Sequence, residues 1–253
     1  MHSTAIIGNG ATIGHNVEIG PYSVIDDDVE VGDDCWIGNH VTLKAGTRIG
    51  KECKIFHGAV IGEVPQDLKF IGEKTTVEIG ENVVIREHVT INRGTQDRLK
   101  TIVGSGSFFM AYSHVSHDSI IGDNVIMANG VYLGGHVTID DWVYVSGAVV
   151  IHQFCHIGKF VLVAGGYRVV QDIPPYILVA GEPLKYNGLN AVGLRRRGFD
   201  PNTRKLLKKA YKIIFNSSYN TSQAVREIKE VLPQTSEIME ITSFIENSKR
   251  GII

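Results

Sequence analysis

Residues 7–60 read IGNGAT IGHNVE IGPYSV IDDDVE VGDDCW IGNHVT LKAGTR IGKECK IFHGAV. An apolar residue returns at every sixth place from Ile7 through Ile61. The same phase is met again at Ile79, Ile85 and Ile91, and then without a gap from Val103 to Val169. Gly often follows it, and the fifth place is small or β-branched, as at Ala11, Val17, Ser23 and Val29. This period fits neither a helix of ~3.6 residues per turn nor an alternating strand. It is the period of a solenoid in which each repeat adds one short strand and one turn. Three strands close a triangular coil, so a coil takes eighteen residues. The apolar first place points inward and stacks on its equivalent one coil away, at ~4.8 Å. Gly and Asn or Asp near the corners suit the positive φ of tight turns. A β-sandwich gives no reason for one period held across most of a chain. The chain is expected to be mainly β, a parallel β-helix of hexapeptide repeats.

The composition is that of a folded, water-soluble protein: 253 residues, 43% hydrophobic and 21% charged. The 28 Gly follow from the repeat corners. No apolar run is long enough to span a bilayer, and the first repeat starts too early to leave room for a signal peptide. A formal charge of −2 gives no general affinity for nucleic acid. Cys35, Cys53 and Cys155 all fall at the fifth place of a hexad and read as ladder positions in a reduced, cytoplasmic setting. The repeat is expected to end near Val169, where Asp172-Ile173-Pro174-Pro175 stops the ladder. A change of period follows. Asp200-Pro201 pairs a cap with a first-turn proline, and further helices are expected to begin near Thr221 or Ser222 and near Ser236. The expected organisation is a β-helix over residues 1–183 and an α-helical C-terminal domain over 184–253.

Two segments interrupt the repeat, EVPQDLKFIGEKTT (63–76) and TQDRLKT (95–101). Loops extruded from a regular solenoid tend to carry function. The histidines point the same way. Hexads beginning at Val115, Leu133 and Ile151 lie eighteen residues apart, hence on one side of successive coils. They carry His117-Asp118, Gly134-Gly135-His136 and His152-Gln153. A His oriented by a carboxylate is a general base for a hydroxyl. Alternatively, His152 and His156 could ligate zinc shared between subunits, as in trimeric β-helices resembling the gamma-class carbonic anhydrases. A third possibility is a scaffold without activity, which would explain the repeat but neither the histidines nor the loops.

The motifs PQDLK (65–69), HVSHD (114–118), GGHV (134–137), HQFC (152–155), QDIPPY (171–176) and GLRRRGF (193–199), in this order, are specific where hexads alone are not. The set resembles the UDP-N-acetylglucosamine acyltransferases that begin lipid A biosynthesis, and the likeness covers the whole chain. The resemblance implies a homotrimer of left-handed parallel β-helices with active sites between subunits. It implies transfer of an R-3-hydroxyacyl chain from acyl carrier protein to the glucosamine 3-hydroxyl of UDP-N-acetylglucosamine. By the same likeness His117 is the general base, Asp118 orients it, and the Gly135 N–H receives the oxyanion. His136 and Gln153 line the site, and His114 and His152 flank the donor and nucleotide sides. Gln66, Asp67 and Lys69 hold the sugar nucleotide or position the acyl chain. Asn190, Arg196 and Arg197 reach the nucleotide and its phosphates, and Gly165 measures acyl length. No cofactor is implied beyond the phosphopantetheine of the carrier protein, and no metal. The residues themselves agree: a thioester needs an activated nucleophile and a home for the oxyanion. The basic run from Arg195 to Lys212, with Asp200 as its one acid, suits an acidic partner.

Overall fold

The computed structural model describes residues 1–253. From Ile6–Ile7 to Arg168–Val169 the chain winds through short strands that stack into three sheets. All of these pairings are parallel, and each strand pairs with the one three strands on. Ile7 stands beside Ile25 and Ile25 beside Leu43, eighteen residues apart. The first face carries Ile6–Ile7, Val24–Ile25, His114–Val115, Tyr132–Leu133, Val150–Ile151 and Arg168–Val169. The second carries Ile120–Ile121, Thr138–Ile139 and His156–Ile157. The third carries Phe108–Phe109, Ile126–Met127, Tyr144–Val145 and Leu162–Val163. First-place residues fill the prism: Ile37, Leu43, Ile55, Ile85 and Ile91 are all wholly buried.

The corners refine the sequence reading. Positive φ falls at the fourth place of the hexad. It is adopted there by Asn16, Asp28 and Asn124, but also by Tyr22, His40, Trp142 and Phe160. The second-place Gly serves a different need. A Cβ on Gly104 would stand 2.4 Å from the Gly122 carbonyl carbon of the next coil. The coils are therefore in backbone contact at the corners, and a side chain there has no room.

Both interruptions leave the ladder at the corner between the first and second faces, in successive coils. The first spans residues 64–75, between strands Val60–Glu63 and Thr76–Ile79. The second lies between Thr90–Asn92 and Lys100–Val103. Ile61 pairs with Ile91, thirty residues on, and Ile91 with Val115, twenty-four on. The insertions thus add twelve and six residues to a coil, whole multiples of the repeat, which is why the phase survives them.

The ladder also runs further than expected. Pro174 and Pro175 do not end it: Ile177–Ala180 adds another parallel strand to the third face, pairing Leu178 with Leu162. That partner lies sixteen residues back, so the coil is short and the six-residue phase is lost while the pairing continues. Lys185–Leu189 then folds back antiparallel on it. Four helices follow: α1 (Ala191–Arg196), α2 (Pro201–Phe215), α3 (Thr221–Val231) and α4 (Ser236–Asn247). Asp200 caps α2 by accepting from the N–H groups of Asn202 and Thr203. The helices close the base of the prism through the buried Leu207, Tyr211, Ile228 and Ile241. No helix is long and apolar enough to cross a membrane. The three cysteines are free and buried, and the Cys53 N–H points at the Cys35 sulfur, 3.4 Å away.

Candidate active site

Three successive coils build the site at the corner between the first and second faces. His117 and Asp118 come from the first, Gly135 and His136 from the second, and Gln153 and Phe154 from the third. The fourth places stack as a column, with Asp118, His136 and Phe154 all at positive φ. The His136 N–H donates to the His117 carbonyl, and the His136 ring stacks on Phe154 at 4.6 Å between centroids. The two extruded loops lie over this corner. Together they enclose a cleft of about 620 Å³, into which Gln66, Asp67, Lys69, His117, His136 and Gln153 all face.

Asp118 is completely buried beneath the second loop. Its Oδ1 accepts from the backbone N–H of Thr95 (3.0 Å) and of Arg98 (3.2 Å). Its Oδ2 accepts from the Thr95 hydroxyl (2.6 Å) and from His117 Nδ1 (2.8 Å). Burial pushes this carboxyl up, but the hydrogen bonds from Thr95 and His117 outweigh it, and its pKa lies below the ordinary value. An ionised carboxylate only accepts, so His117 Nδ1 carries the proton and Nε2 is left with its lone pair. That nitrogen borders the cleft and lies against Gly135: a Cβ on Gly135 would stand 2.7 Å from it. At some corners the third-place N–H is taken by a side chain of the next coil, as Ser105 N–H by Asp123 and Asp123 N–H by Asp141, and at others, as at Ala111 and Asn129, it is left free. The Gly135 N–H has no acceptor in the chain. A free donor and a free base thus lie together at one cleft.

His136 is nearly buried, with Nε2 3.7 Å from Asp118 and 3.6 Å from Asp97. Burial holds its pKa below the ordinary value, although Asp118 pulls the other way. His114 lies on the first face, with Nδ1 2.7 Å from the Thr90 hydroxyl, and is likewise lowered by burial and then by His117. His152 is exposed, its Nδ1 3.2 Å from the Gln153 carbonyl. Neither His114 nor His152 lines the cleft. His156 projects from the second face and pairs with Asp140 at 3.0 Å. The close set of potential metal ligands is instead His117, Asp118 and His136, whose atoms lie within 4.8 Å of one another.

The remaining expected residues are elsewhere in a single chain. Asn190, Arg196 and Arg197 line a second cavity of about 600 Å³ on the third face, with Trp142 and Tyr144. Asn190 caps α1 through the Gly193 N–H and donates to the Phe160 carbonyl. The Arg197 guanidinium lies 3.7 Å above the Trp142 ring. Gly165 is at the corner between the third and first faces, where a Cβ would stand 3.1 Å from the Gly147 carbonyl oxygen. Sequence reasoning passed over Thr95, Arg98 and Glu73. Glu73 ties the loops to each other by accepting from the N–H groups of Ile71 and Gln96. The available signal was that both loops interrupt the same side of successive coils.

Comparison with known proteins gives this site a family. Residues 172–253 match the model of UDP-N-acetylglucosamine O-acyltransferase, domain 2, and residues 28–63 and 100–135 match the bacterial transferase hexapeptide repeat. An acyl-[acyl-carrier-protein]–UDP-N-acetylglucosamine O-acyltransferase from Thermodesulfovibrio yellowstonii is 46% identical over 100% of this chain and 98% of its own length. The chain belongs to the UDP-N-acetylglucosamine O-acyltransferase family. Among solved structures of the family, that from Bacteroides fragilis is 46% identical, with a TM-score of 0.99 over 100% of this chain and 99% of that one. The Acinetobacter baumannii structure is 42% identical, with a TM-score of 0.97 over 100% and 98%. The chain has the family's left-handed parallel β-helix with a small helical C-terminal region, and the motif order from PQDLK to GLRRRGF pointed to that family.

Proposed function

We propose that the chain transfers an R-3-hydroxyacyl group from acyl carrier protein to the 3-hydroxyl of UDP-N-acetylglucosamine, the opening step of lipid A biosynthesis. His117 Nε2 takes the proton of the sugar hydroxyl as its oxygen attacks the thioester carbonyl. The carbonyl oxygen gains the negative charge and receives the Gly135 N–H. As the intermediate collapses, the carbon–sulfur bond breaks and the imidazolium returns its proton to the departing phosphopantetheine thiolate. Asp118 stays ionised throughout and stabilises the imidazolium. The observation that carries this reading is the free His117 Nε2 beside the unpaired Gly135 N–H. Incubation with hydroxyacyl carrier protein and UDP-N-acetylglucosamine, read by product mass, tests it. His117→Ala should lower kcat by ~10²–10⁴ with little change in KM.

The neighbouring subunit supplies what one chain lacks. We place the first face of one protomer against the third face of the next, around a threefold axis, a heterologous contact that closes. The first face exposes Ile6, Tyr132 and Val150 beside His114. The third carries the half-buried Phe108, Ile126, Tyr144 and Leu162. This arrangement sets the His117 corner against the neighbour's Trp142 corner, bringing Asn190, Arg196 and Arg197 to the nucleotide. It turns the Gly165 corners toward the axis, so the acyl chain runs inward between faces and ends there. Gln66, Asp67 and Lys69 hold the sugar nucleotide or the chain's first carbons, and Gln153, His114 and His152 border the substrates. The basic surface of α1 and α2 receives the acidic carrier protein, in the cytoplasm.

A metal reading has one observation in its favour, the His117, Asp118 and His136 set. All four bonds to the Asp118 oxygens are already made within the chain, so a cation would have to displace Thr95, Arg98 or His117. Undiminished activity after chelation, with no zinc in the purified protein, is the outcome that fits the base mechanism.

A further inference from the structure

We propose that Thr95, in the second extruded loop, is the positioning residue for the catalytic pair, acting through Asp118. The proposal rests on the reading of His117 as base. The terminal torsion of an aspartate is broad and roughly two-fold, so its rotamer alone does not fix the plane of the carboxylate. Something must orient it if Oδ2 is to face His117. Thr95 is 6% exposed and grips both oxygens: its N–H donates to Oδ1 at 3.0 Å, and its hydroxyl to Oδ2 at 2.6 Å. Two points on one residue define the carboxylate plane. The same loop holds the Asp118 backbone, since Arg98 Nη1 donates to the Asp118 carbonyl at 2.7 Å. From the coil above, Thr101 accepts the Asp118 N–H at 2.9 Å. These contacts leave one free direction at Oδ2, which His117 Nδ1 fills.

The hydroxyl has a second effect. It donates a charged hydrogen bond to an oxygen that burial would otherwise drive toward protonation. Without it the carboxylate is both freer to turn and less firmly ionised, and His117 loses the partner that fixes its tautomer. The Thr95 N–H would still bind Oδ1, so the loop itself should stay in place.

Three variants and one cycle test this in the full-length enzyme. Thr95→Val keeps the volume and removes the hydroxyl. It should lower kcat by about 10- to 100-fold, the loss expected for one hydrogen bond to a charged group, with KM for both substrates nearly unchanged. Thr95→Ser restores the hydroxyl and should recover most of the rate. In an Asp118→Asn background, Thr95→Val should cost little more, because the hydroxyl then has no carboxylate to orient. Wild-type kcat in Thr95→Val would overturn the proposal, as would multiplicative losses in the double variant or no recovery in Thr95→Ser. A KM effect alone would make Thr95 a substrate contact instead. Should His117→Ala keep full activity, the base mechanism itself fails, an outcome separate from any result at Thr95.

Discussion

Burial acts on the three titrating side chains around His117 in different ways. It opposes the Asp118 carboxylate, but the hydrogen bonds from Thr95 and His117 overcome it and the group stays ionised. It acts on His114 with His117 adding to the effect, and on His136 against the pull of Asp118, and both imidazoles end below the ordinary 6.5. The consequence for stability has a definite sign. Just below pH 6.5 the unfolded chain binds protons at these histidines that the folded chain refuses. Stability from the neutral histidines is therefore full above that value and declines as pH falls from it toward their depressed values. Asp118 adds stability above the ordinary carboxylate range, which is lost only as pH falls through its own lower pKa. Urea unfolding between about pH 8 and pH 5 should show the histidine decline, and His114→Gln should flatten part of it. An unchanged slope in that variant would mean that His114 titrates alike in both states.

Among elements, the hexad corner separates two uses of glycine that look the same in a sequence. Gly104→Ala places a methyl against the Gly122 backbone and should cost about 1–3 kcal/mol by overpacking. Gly130→Ala meets nothing within 4 Å and bears only its positive φ, so it should cost about 1–2 kcal/mol at most. Chemical denaturation of the two variants checks the order. The β-helix was legible because every first place obeys one rule, burial at a fixed spacing. The strand Ile177–Ala180 was not, because its coil is two residues short and pairs Leu178 with Leu162 out of phase. Lys185–Leu189 and α1 were missed for a related reason, being too short for any period to show. At the site, coil arithmetic placed His117, Gly135, His136 and Gln153 together, since it needs only the repeat. Thr95 and Glu73 lie in segments without a period, and nothing local marks them. Their place follows from where the loops leave the ladder, a fact of register that the sequence carries only once the insertions are counted out.

For the whole molecule, the prism divides its chemistry among corners. His117 is at one, Trp142 and Arg197 at the next, and Gly165 at the third. In the proposed trimer, packing of face against face brings the three into one channel, so assembly and activity should fail together. Ile126→Glu puts a charge in the apolar row of the third face and should yield protomers by light scattering, with activity lost although His117 is untouched. Active monomers would overturn the intersubunit site. The same geometry makes chain length a property of the assembly. Gly165 is exposed in one protomer, so in the proposed trimer added bulk there projects into the space between subunits. Its Cβ would approach the Gly147 carbonyl at 3.1 Å, a contact that a small backbone shift relieves. Each methylene that finds apolar burial is worth ~0.8 kcal/mol, and one that collides costs more. Wild type should therefore favour a long 3-hydroxyacyl donor, and Gly165→Met should move the optimum to shorter chains while sparing the rate with the shortest. Tyr167 is half-buried two residues on and packs against the core. Rates with donors of graded length decide the matter: an unchanged profile in Gly165→Met means that the acyl tail ends elsewhere, away from the axis.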